Sequence, residues 1–353
     1  MLTQVRFQNI RALANFRLNL QPLTVLVGPN ACGKSTVLHE IERLCRFTHR
    51  NPHPTFVGGP NRIDIPPITS GRIGAQSWEG KMSSQSVSIS IPPTPPDQMK
   101  IDIQLDNNGK KEEILFQDGS YNGNEESVLR VLYDFSWRVQ QLILERRMIL
   151  RPSPVNASMT RLESSGFGLA TLLLHLASNH TEAYLKLQKD LAAVVPGFQR
   201  LYVKQIGKSG HTYYGLELVF NGAGQISAEY ASEGTLFALG LLAALHSPEM
   251  PTIVLLDDLD RGLHLSAQYE LVEAIRRVQA QRPELQVIAT SHSPVLVDSF
   301  RAEEVRVMSL DENGHAQARP LTEMPDFPKW SRALQPGEMW ANFGEKWVTE
   351  DAR

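Results

Sequence analysis

The spacing of apolar and polar residues predicts strands and a helix at the start of the chain. Residues 2–7 and 16–20 alternate apolar with polar side chains, which is typical of half-buried strands. Residues 23–27 form a continuous apolar run, as a buried strand does, and residues 36–44 carry apolar side chains at helical spacing. The chain therefore begins with strands and then forms a strand, a loop and a helix.

The next part of the chain has a different pattern. Residues 48–82 are rich in proline, glycine, asparagine and arginine, which indicates a loop or an insertion. Short alternating runs follow at residues 86–91, 101–103 and 114–116, and turn-forming residues separate them. These runs predict a small antiparallel sheet.

Helical patterns follow, with one ambiguous stretch. Residues 127–138 have the spacing of a helix, and residues 168–195 predict one or two amphipathic helices. Residues 140–150 fit either a continuing helix or a buried strand, because periodicity does not separate the two in a short apolar run. No heptad pattern continues over many turns, so we expect no long coiled-coil arm.

The last third of the chain returns to strands and then alternates strands with helices. Strand patterns occur at residues 201–206, 213–220 and 226–230. The alternating elements are a strand at 252–256, a helix at 265–280, a strand at 286–289, a short helix after Pro294 and a strand at 305–308. Such alternation favours an α/β fold with a largely parallel sheet flanked by helices, to which the middle region adds an antiparallel β subdomain.

The turn between the strand at 23–27 and the helix at 36–44 fits the phosphate-loop spacing G-x-x-x-x-G-K-[ST]. Gly28 and Gly33 permit backbone turns that direct N–H groups at phosphate oxygens. Lys34 is expected to reach the β- and γ-phosphates, and the Ser35 hydroxyl to bind Mg²⁺. The candidate nucleotide-binding residues are Gly28, Pro29, Asn30, Ala31, Cys32, Gly33, Lys34, Ser35 and Thr36.

A pair of acids ends the apolar run at 252–256. A carboxylate at the end of a neighbouring strand can complete or orient the coordination of a metal bound to a phosphate loop, and Asp257 is our candidate for this role. Asp258 then stands where a base would polarise the attacking water. The alternative is that Asp258 and Asp260 cap the following helix.

His292 lies in a polar stretch that follows the predicted strand at 286–289. The carboxyl edge of a parallel sheet is where α/β sites lie, so His292 is a candidate contact for the γ-phosphate. A surface or capping role is the alternative.

Composition narrows the class of protein. The 353 residues are 42% hydrophobic and 21% charged, as in an ordinary soluble protein, and the net charge of -3 gives no general argument for nucleic-acid binding. Cys32 and Cys45 do not resemble a disulfide framework. The longest apolar run, 236–245, is too short to cross a bilayer, and the start has no signal-peptide pattern, so we expect a cytoplasmic protein without membrane contact.

The order of the motifs resembles that of the ABC-type ATPases of the RecF, SMC and OLD (overcoming lysogenization defect) group. The matching segments are 28–36, 231–236, 254–258, 262–264 and 290–294, and residues 7–11 followed by Phe16 are similar to the first strands of that group. The resemblance implies a P-loop NTPase fold of the ABC-ATPase type, ATP and Mg²⁺ as cofactors, and ATP hydrolysis as the activity.

The resemblance also implies a head-to-tail homodimer with two ATP molecules between the protomers. Ser232 and Gly234 match the signature segment, which contacts the γ-phosphate bound to the other subunit. His292 matches the switch histidine, residues 260–264 match the segment that crosses the interface, and Arg11 is expected near the nucleotide.

Two residues depart from the pattern of the group. Asp258 stands where Glu is usual, although RecF-like members also carry Asp-Asp, and the shorter side chain predicts slow hydrolysis. Phe237 stands where related signatures often have a basic residue.

The expected organisation is an ATPase head over residues 1–310, with a β-rich insertion at 48–125 and a helical subdomain at 126–200, and a tail at 311–353. Residues 293–353 are too few for the TOPRIM nuclease domain of OLD proteins. A stand-alone head resembles the ATPases of bacterial anti-phage defence systems, which control a separate effector protein. The aromatic residues of the tail either anchor a partner or pack back on the head.

Other functions stay open at this point. A RecF-like repair factor, with DNA as a partner, is favoured by the length and by Asp257-Asp258 but not by the net charge. The nucleotide-binding subunit of an ABC transporter would need a membrane partner, and its signature differs from Ser-Glu-Gly-Thr. A small-molecule P-loop kinase would leave the segments of Ser232 and His292 unexplained.

Overall fold

The structure is a computed structural model that describes residues 2, 4–50, 85–91, 99–105, 112–116, 139–154, 160–208 and 211–350. The helix expected at 127–138 and residues 51–82 of the expected loop lie outside these residues. Residues 48–50 of that loop are helical instead, because the first residue that disfavours a helix in this stretch is Pro52.

The described residues form fifteen strands and nine α-helices, which alternate mainly in the last third of the chain. The strands are β1 Gln4–Ile10, β2 Leu13–Asn19, β3 Leu23–Val27, β4 Gln85–Ile91, β5 Met99–Leu105, β6 Glu112–Phe116, β7 Val139–Leu142, β8 Ser153–Pro154, β9 Phe198–Lys208, β10 His211–Phe220, β11 Gly224–Ser227, β12 Ile253–Leu256, β13 Gln286–Thr290, β14 Val305–Leu310 and β15 Ala316–Pro320. The α-helices are α1 Lys34–Arg50, α2 Arg146–Ile149, α3 Leu169–Asn179, α4 Thr181–Val194, α5 Glu233–His246, α6 Leu265–Gln281, α7 Pro294–Val297, α8 Phe327–Trp330 and α9 Pro336–Phe343.

The central sheet has the strand order β15-β14-β3-β13-β12-β7, and its pairs are parallel except for β14 with β15. Strands β3, β7, β12 and β13 are buried along their whole length, which explains why β3 and β12 are almost entirely apolar. The expected largely parallel sheet is confirmed. The ambiguous residues 140–150 contain the end of β7 and the short helix α2.

Helices cover both faces of this sheet. On one face, apolar side chains of the sheet pack with those of α1, and the members include Leu26, Leu255, Ile288, Val37, Leu38 and Ile41. On the other face, alternate residues of the same strands pack with helices α3 to α6, and the members include Val27, Leu256, Ala289, Leu173, Leu191 and Leu271. The alternation follows from the two-residue period of a strand.

An antiparallel sheet in the order β2-β1-β4-β5-β6 confirms the expected antiparallel part, which continues the amino-terminal strands. Strand β10 pairs with β8, β9 and β11 in another sheet. The strand expected at 226–230 ends at Ser227, because the Ser227 side chain accepts a hydrogen bond from the Glu229 N–H (3.4 Å) and starts a 3₁₀ turn over Ala228–Tyr230.

The expected tail packs against the head. Strand β15 already belongs to the central sheet, and the Gly337 N–H in α9 donates to Asp298, directly after α7 (2.8 Å). Trp340 and Trp347 are buried, so these aromatic residues pack back on the head. Within the described ranges, no helix is long and apolar enough to span a membrane.

Candidate nucleotide site

Three motifs meet at the carboxyl edge of the central sheet because their strands are neighbours. The phosphate loop follows β3, the segment of His292 follows β13, and the acidic pair follows β12, in the strand order β3-β13-β12. The carboxyl ends of parallel strands lie at one edge, where ligands of open α/β sheets bind.

The phosphate loop has the backbone shape that its glycines allow. Gly28 has φ 145° and Gly33 has φ 98°, and Ala31 is left-handed at φ 65°. A Cβ atom on Gly28 would lie 2.3 Å from the Met308 carbonyl oxygen of β14, so a side chain does not fit at this position.

Lys34 is buried within this loop at the first turn of α1. Its Nζ donates to the carbonyl oxygens of Gly28 (2.8 Å) and Pro29 (2.9 Å). The ammonium group and the amino end of a 17-residue helix therefore act on the same point, and both favour an anion there.

Ser35 and Asp257 lie together, as the sequence predicted for a metal pair. The Ser35 hydroxyl donates to Asp257 Oδ1 at 3.1 Å. A hydroxyl and a carboxylate oxygen beside a phosphate loop are the donor set that Mg²⁺ uses together with phosphate oxygens, so these residues fit MgATP.

Thr290, the last residue of β13, connects both acids, and the sequence analysis gave it no role. Its hydroxyl donates to Asp257 Oδ1 (2.6 Å) and accepts from the Asp258 N–H (2.9 Å). The Leu259 N–H also donates to the Thr290 carbonyl (2.9 Å). The position of Thr290 at the start of the T-S-H-S-P segment was the one available signal.

Asp258 and His292 face each other across the edge, with His292 Nε2 3.9 Å from Asp258 Oδ1. Burial, and then the charge of Asp257, raises the pKa of Asp258, and the nearby His292 and Lys34 oppose this rise. Asp258 has φ 53°, an uncommon conformation for a residue with a side chain. Both groups are half-exposed, so substrate and water can reach them.

Asp260 fixes the segment of His292. Its carboxylate accepts from the Ser291 hydroxyl (2.7 Å) and from the His292 N–H (3.2 Å). The alternative, in which Asp258 and Asp260 cap the next helix, is wrong, because α6 begins at Leu265 and His264 caps it. The intervening turn keeps both acids at the edge of the sheet.

The signature segment begins helix α5. Ser232 is its N-cap and accepts a hydrogen bond from the Thr235 N–H (3.1 Å). A Cβ atom on Gly234 would lie 2.1 Å from the Gly262 carbonyl oxygen, so the start of α5 touches the turn after the acidic pair. Phe237, which replaces the expected basic residue, is buried in the apolar cluster below.

Arg11 lies in the exposed turn between β1 and β2. Its neighbour Ala12 accepts a hydrogen bond from the Ala316 N–H (2.7 Å), and the Leu13 side chain lies 3.3 Å from the Cβ position of Gly33. The turn is therefore beside the phosphate loop, and a contact between Arg11 and the nucleotide stays a prediction.

Two parts of the chain match models of AAA-type ATPase domains. Residues 1–145 match the family model "AAA ATPase domain", and residues 176–298 match the model "AAA domain, putative AbiEii toxin, Type IV TA system". The chain is 20% identical over 358 residues to the Septu protein PtuA of Bacillus thuringiensis. The alignment covers 94% of this chain and 81% of that protein.

Solved structures with a similar fold include SMC heads. An SMC head bound to the C-winged helix domain of ScpA has a TM-score of 0.60, 13% identity, and coverage of 90% of this chain and 96% of that one. An SMC head with an extended coiled coil, bound to the C-terminal domain of ScpA from Pyrococcus furiosus, has a TM-score of 0.56, 12% identity, and coverage of 94% and 99%. The chain is an ATPase with AAA-family domain segments and the ABC-type P-loop fold of the SMC heads.

Proposed function

We propose that this ATPase binds ATP with Mg²⁺, closes on ATP as a head-to-tail homodimer, and controls a separate effector protein in bacterial anti-phage defence. The observation that carries the proposal is the connected cluster of Ser35, Asp257, Thr290, Asp258 and His292 at one edge of the sheet.

Lys34 and four groups of the cluster each have a task in phosphoryl transfer to water. Lys34 binds the β- and γ-phosphates, while Ser35 and Asp257 hold the metal, which neutralises charge that develops on the phosphates. Asp258 orients and polarises the attacking water, and its raised pKa matches that role. His292 donates a hydrogen bond to the γ-phosphate and senses its release.

The signature segment acts on the second protomer in this proposal. The first N–H groups of α5 and the Ser232 hydroxyl are suited to an anion, because the amino end of a helix attracts negative charge. Arg261 pairs with Glu233 (2.8 Å), which ties the turn after Asp258 to the start of α5. The two motifs therefore present one surface to a partner copy.

The defence context and the effector rest on the likeness to PtuA, an anti-phage defence protein. The SMC heads were solved with parts of a partner protein bound, so a head of this fold is able to carry a partner. The effector itself is identified by its function alone, as a protein whose activity changes with the nucleotide state of the ATPase.

The test is the molar mass by light scattering with MgATP, with MgADP and without nucleotide. Asp258→Ala, which slows hydrolysis, should form a dimer with ATP only. Glu182→Ala, which removes an exposed carboxylate from α4, should behave as the unchanged protein. A mass that nucleotide does not change in any variant contradicts the proposal.

Binding of DNA, as in RecF-like repair, is a second candidate. Arg200, Tyr202 and Lys204 occupy one exposed face of β9, and a row of basic and aromatic side chains favours nucleic acid. In that case DNA should stimulate ATP hydrolysis, and the stimulation should fall steeply as salt rises.

A further inference from the structure

The segment between β7 and α2 leaves the central sheet beside the acidic pair. Strand β7 pairs with β12 so that Leu142 lies opposite Leu256, the residue before Asp257. Arg146 begins α2 four residues after Leu142. Only residues 143–145 therefore separate the helix that Arg146 starts from a strand that borders the metal-binding edge.

The Arg146 side chain reaches a different motif. Its Nη1 donates to the Ala231 carbonyl oxygen at 2.6 Å, and its Nη2 donates to the Glu229 carbonyl oxygen. These carbonyls lie one and three residues before Ser232, the N-cap of the signature helix. A guanidinium is a rigid planar fork with charged donors, so it holds two acceptors in a fixed relative geometry, whereas the ammonium of Lys is a compact charge on a flexible side chain.

Packing joins the same two segments. A Cβ atom on Gly240, in the middle of α5, would lie 3.3 Å from Leu144 Cδ1 and 3.5 Å from Ile149 Cδ1. Leu144 and Ile149 flank Arg146 on either side of the short helix and are buried. The segment 144–149 and α5 are therefore in close contact along more than one turn.

We propose that Arg146 is a positioning residue that sets the signature segment and links it to the metal-binding edge of its own protomer. This inference rests on the proposed ATP-dependent dimer, in which Ser232 acts on the ATP of the partner. Arg146 then contributes to closure of the partner's site and not to nucleotide binding in its own.

Arg147 offers a matched control. It follows Arg146 on α2 and has the same charge, but it is exposed and has no hydrogen bond or ion pair among the described residues. A change at Arg147 tests the loss of positive charge on this helix without loss of the two carbonyl contacts.

The experiment uses the full chain with Asp258→Ala, to which Arg146→Gln, Arg146→Lys or Arg147→Gln is added. Affinity for a fluorescent ATP analogue with Mg²⁺ measures the protomer's own site at concentrations where it is a monomer. Light scattering over a protein dilution series with MgATP measures dimerisation, and thermal melting checks folding.

We expect Arg146→Gln to raise the dimer dissociation constant by about tenfold or more while nucleotide affinity stays within about twofold, because two charge-assisted hydrogen bonds are lost away from the protomer's own site. The dimer dissociation constant of Arg146→Lys should lie between those of the parent and of Arg146→Gln. That of Arg147→Gln should match the parent value. Equal loss of nucleotide affinity and dimerisation, or no loss of either, would overturn the inference. Should Arg146→Gln fail to fold, Arg146→Lys decides by the same comparison.

The same experiment distinguishes failure of the proposed function from failure of this inference. If the proposed function is wrong, Asp258→Ala alone forms no ATP-dependent dimer, before any change at Arg146 is made.

Discussion

Two acidic clusters of this protein differ in how well their charge is compensated. Asp190 in α4 is buried, and it accepts hydrogen bonds from His246 of α5 (2.9 Å) and Arg277 of α6 (2.7 Å). At the edge of the sheet, Asp257 accepts from the hydroxyl groups of Ser35 and Thr290, and the His292 imidazole is 3.9 Å from the Asp258 carboxylate.

The pKa values follow this difference. Burial raises the pKa of Asp190, but the hydrogen bonds from His246 and Arg277 outweigh it, so the net direction is down. The pKa of Asp258 goes up, by burial and by the charge of Asp257. The first cluster is complete and joins three helices, whereas the second has negative charge in excess, as a site that receives a cation with its substrate does.

The largest effect is expected from a substitution that disrupts the second cluster. Asp258→Asn should lower the rate of ATP hydrolysis by about a hundredfold or more, because the group that polarises water is lost. Thermal stability should not fall, since the change removes one of two adjacent like charges. Steady-state phosphate release with MgATP and a melting curve measure the two effects, and an equal loss of both would contradict the assignment.

For the first cluster we expect a loss of stability without a loss of activity. Asp190→Ala should lower the free energy of unfolding by about 3 kcal/mol, because it leaves His246 and Arg277 without their shared partner. Hydrolysis per folded molecule should be unchanged at low temperature. Urea unfolding and the ATPase assay check this, with Glu182→Ala as a control for an exposed carboxylate on the same helix.

A smaller effect is expected at Thr290, whose hydroxyl bonds to the Asp257 carboxylate and to the Asp258 N–H. Thr290→Val keeps the shape but removes the hydroxyl, so we expect about a tenfold lower kcat and weaker dependence on Mg²⁺. Thr290→Ser keeps the hydroxyl and should retain most of the rate. If Thr290→Val is as active as Thr290→Ser, the hydroxyl does not position the acids.

The smallest effect is the acid dependence of stability. Because its folded pKa lies below the ordinary value of 3.8, Asp190 stabilises the fold fully above that pH, and this contribution is lost as the pH falls through the lower folded value. The stability difference between the unchanged protein and Asp190→Asn should therefore shrink below about pH 4. Urea midpoints between pH 6 and pH 3 measure it, and a difference that grows in acid would contradict the assigned direction.

The candidate motifs of the site could be located in the sequence, because the phosphate loop and the ends of β12 and β13 are local patterns. It also predicted the parallel sheet from the alternation of strands and helices. Thr290 was missed because its role depends on the adjacency of β12 and β13, which no local pattern reports. Arg146 was missed for the same reason, since its acceptors lie 83 and 85 residues away.

The ambiguous and incorrect assignments also have physical causes. Residues 140–150 hold a strand and a helix in succession, so neither period extends far enough to dominate. Strand β15 was overlooked because its sequence, Ala-Gln-Ala-Arg-Pro, has little β propensity and owes its conformation to pairing with β14.

The central claim is that each ATP site is completed by the signature segment of a second copy. The most direct measurement mixes Lys34→Ala, which lacks a working phosphate loop, with Ser232→Arg, which lacks a working signature, and follows ATP hydrolysis. Each variant alone should be inactive, and an equal mixture should recover about a quarter of the full rate, because half of the dimers then contain one intact site. A mixture that forms dimers with ATP but stays as inactive as its components would contradict the claim.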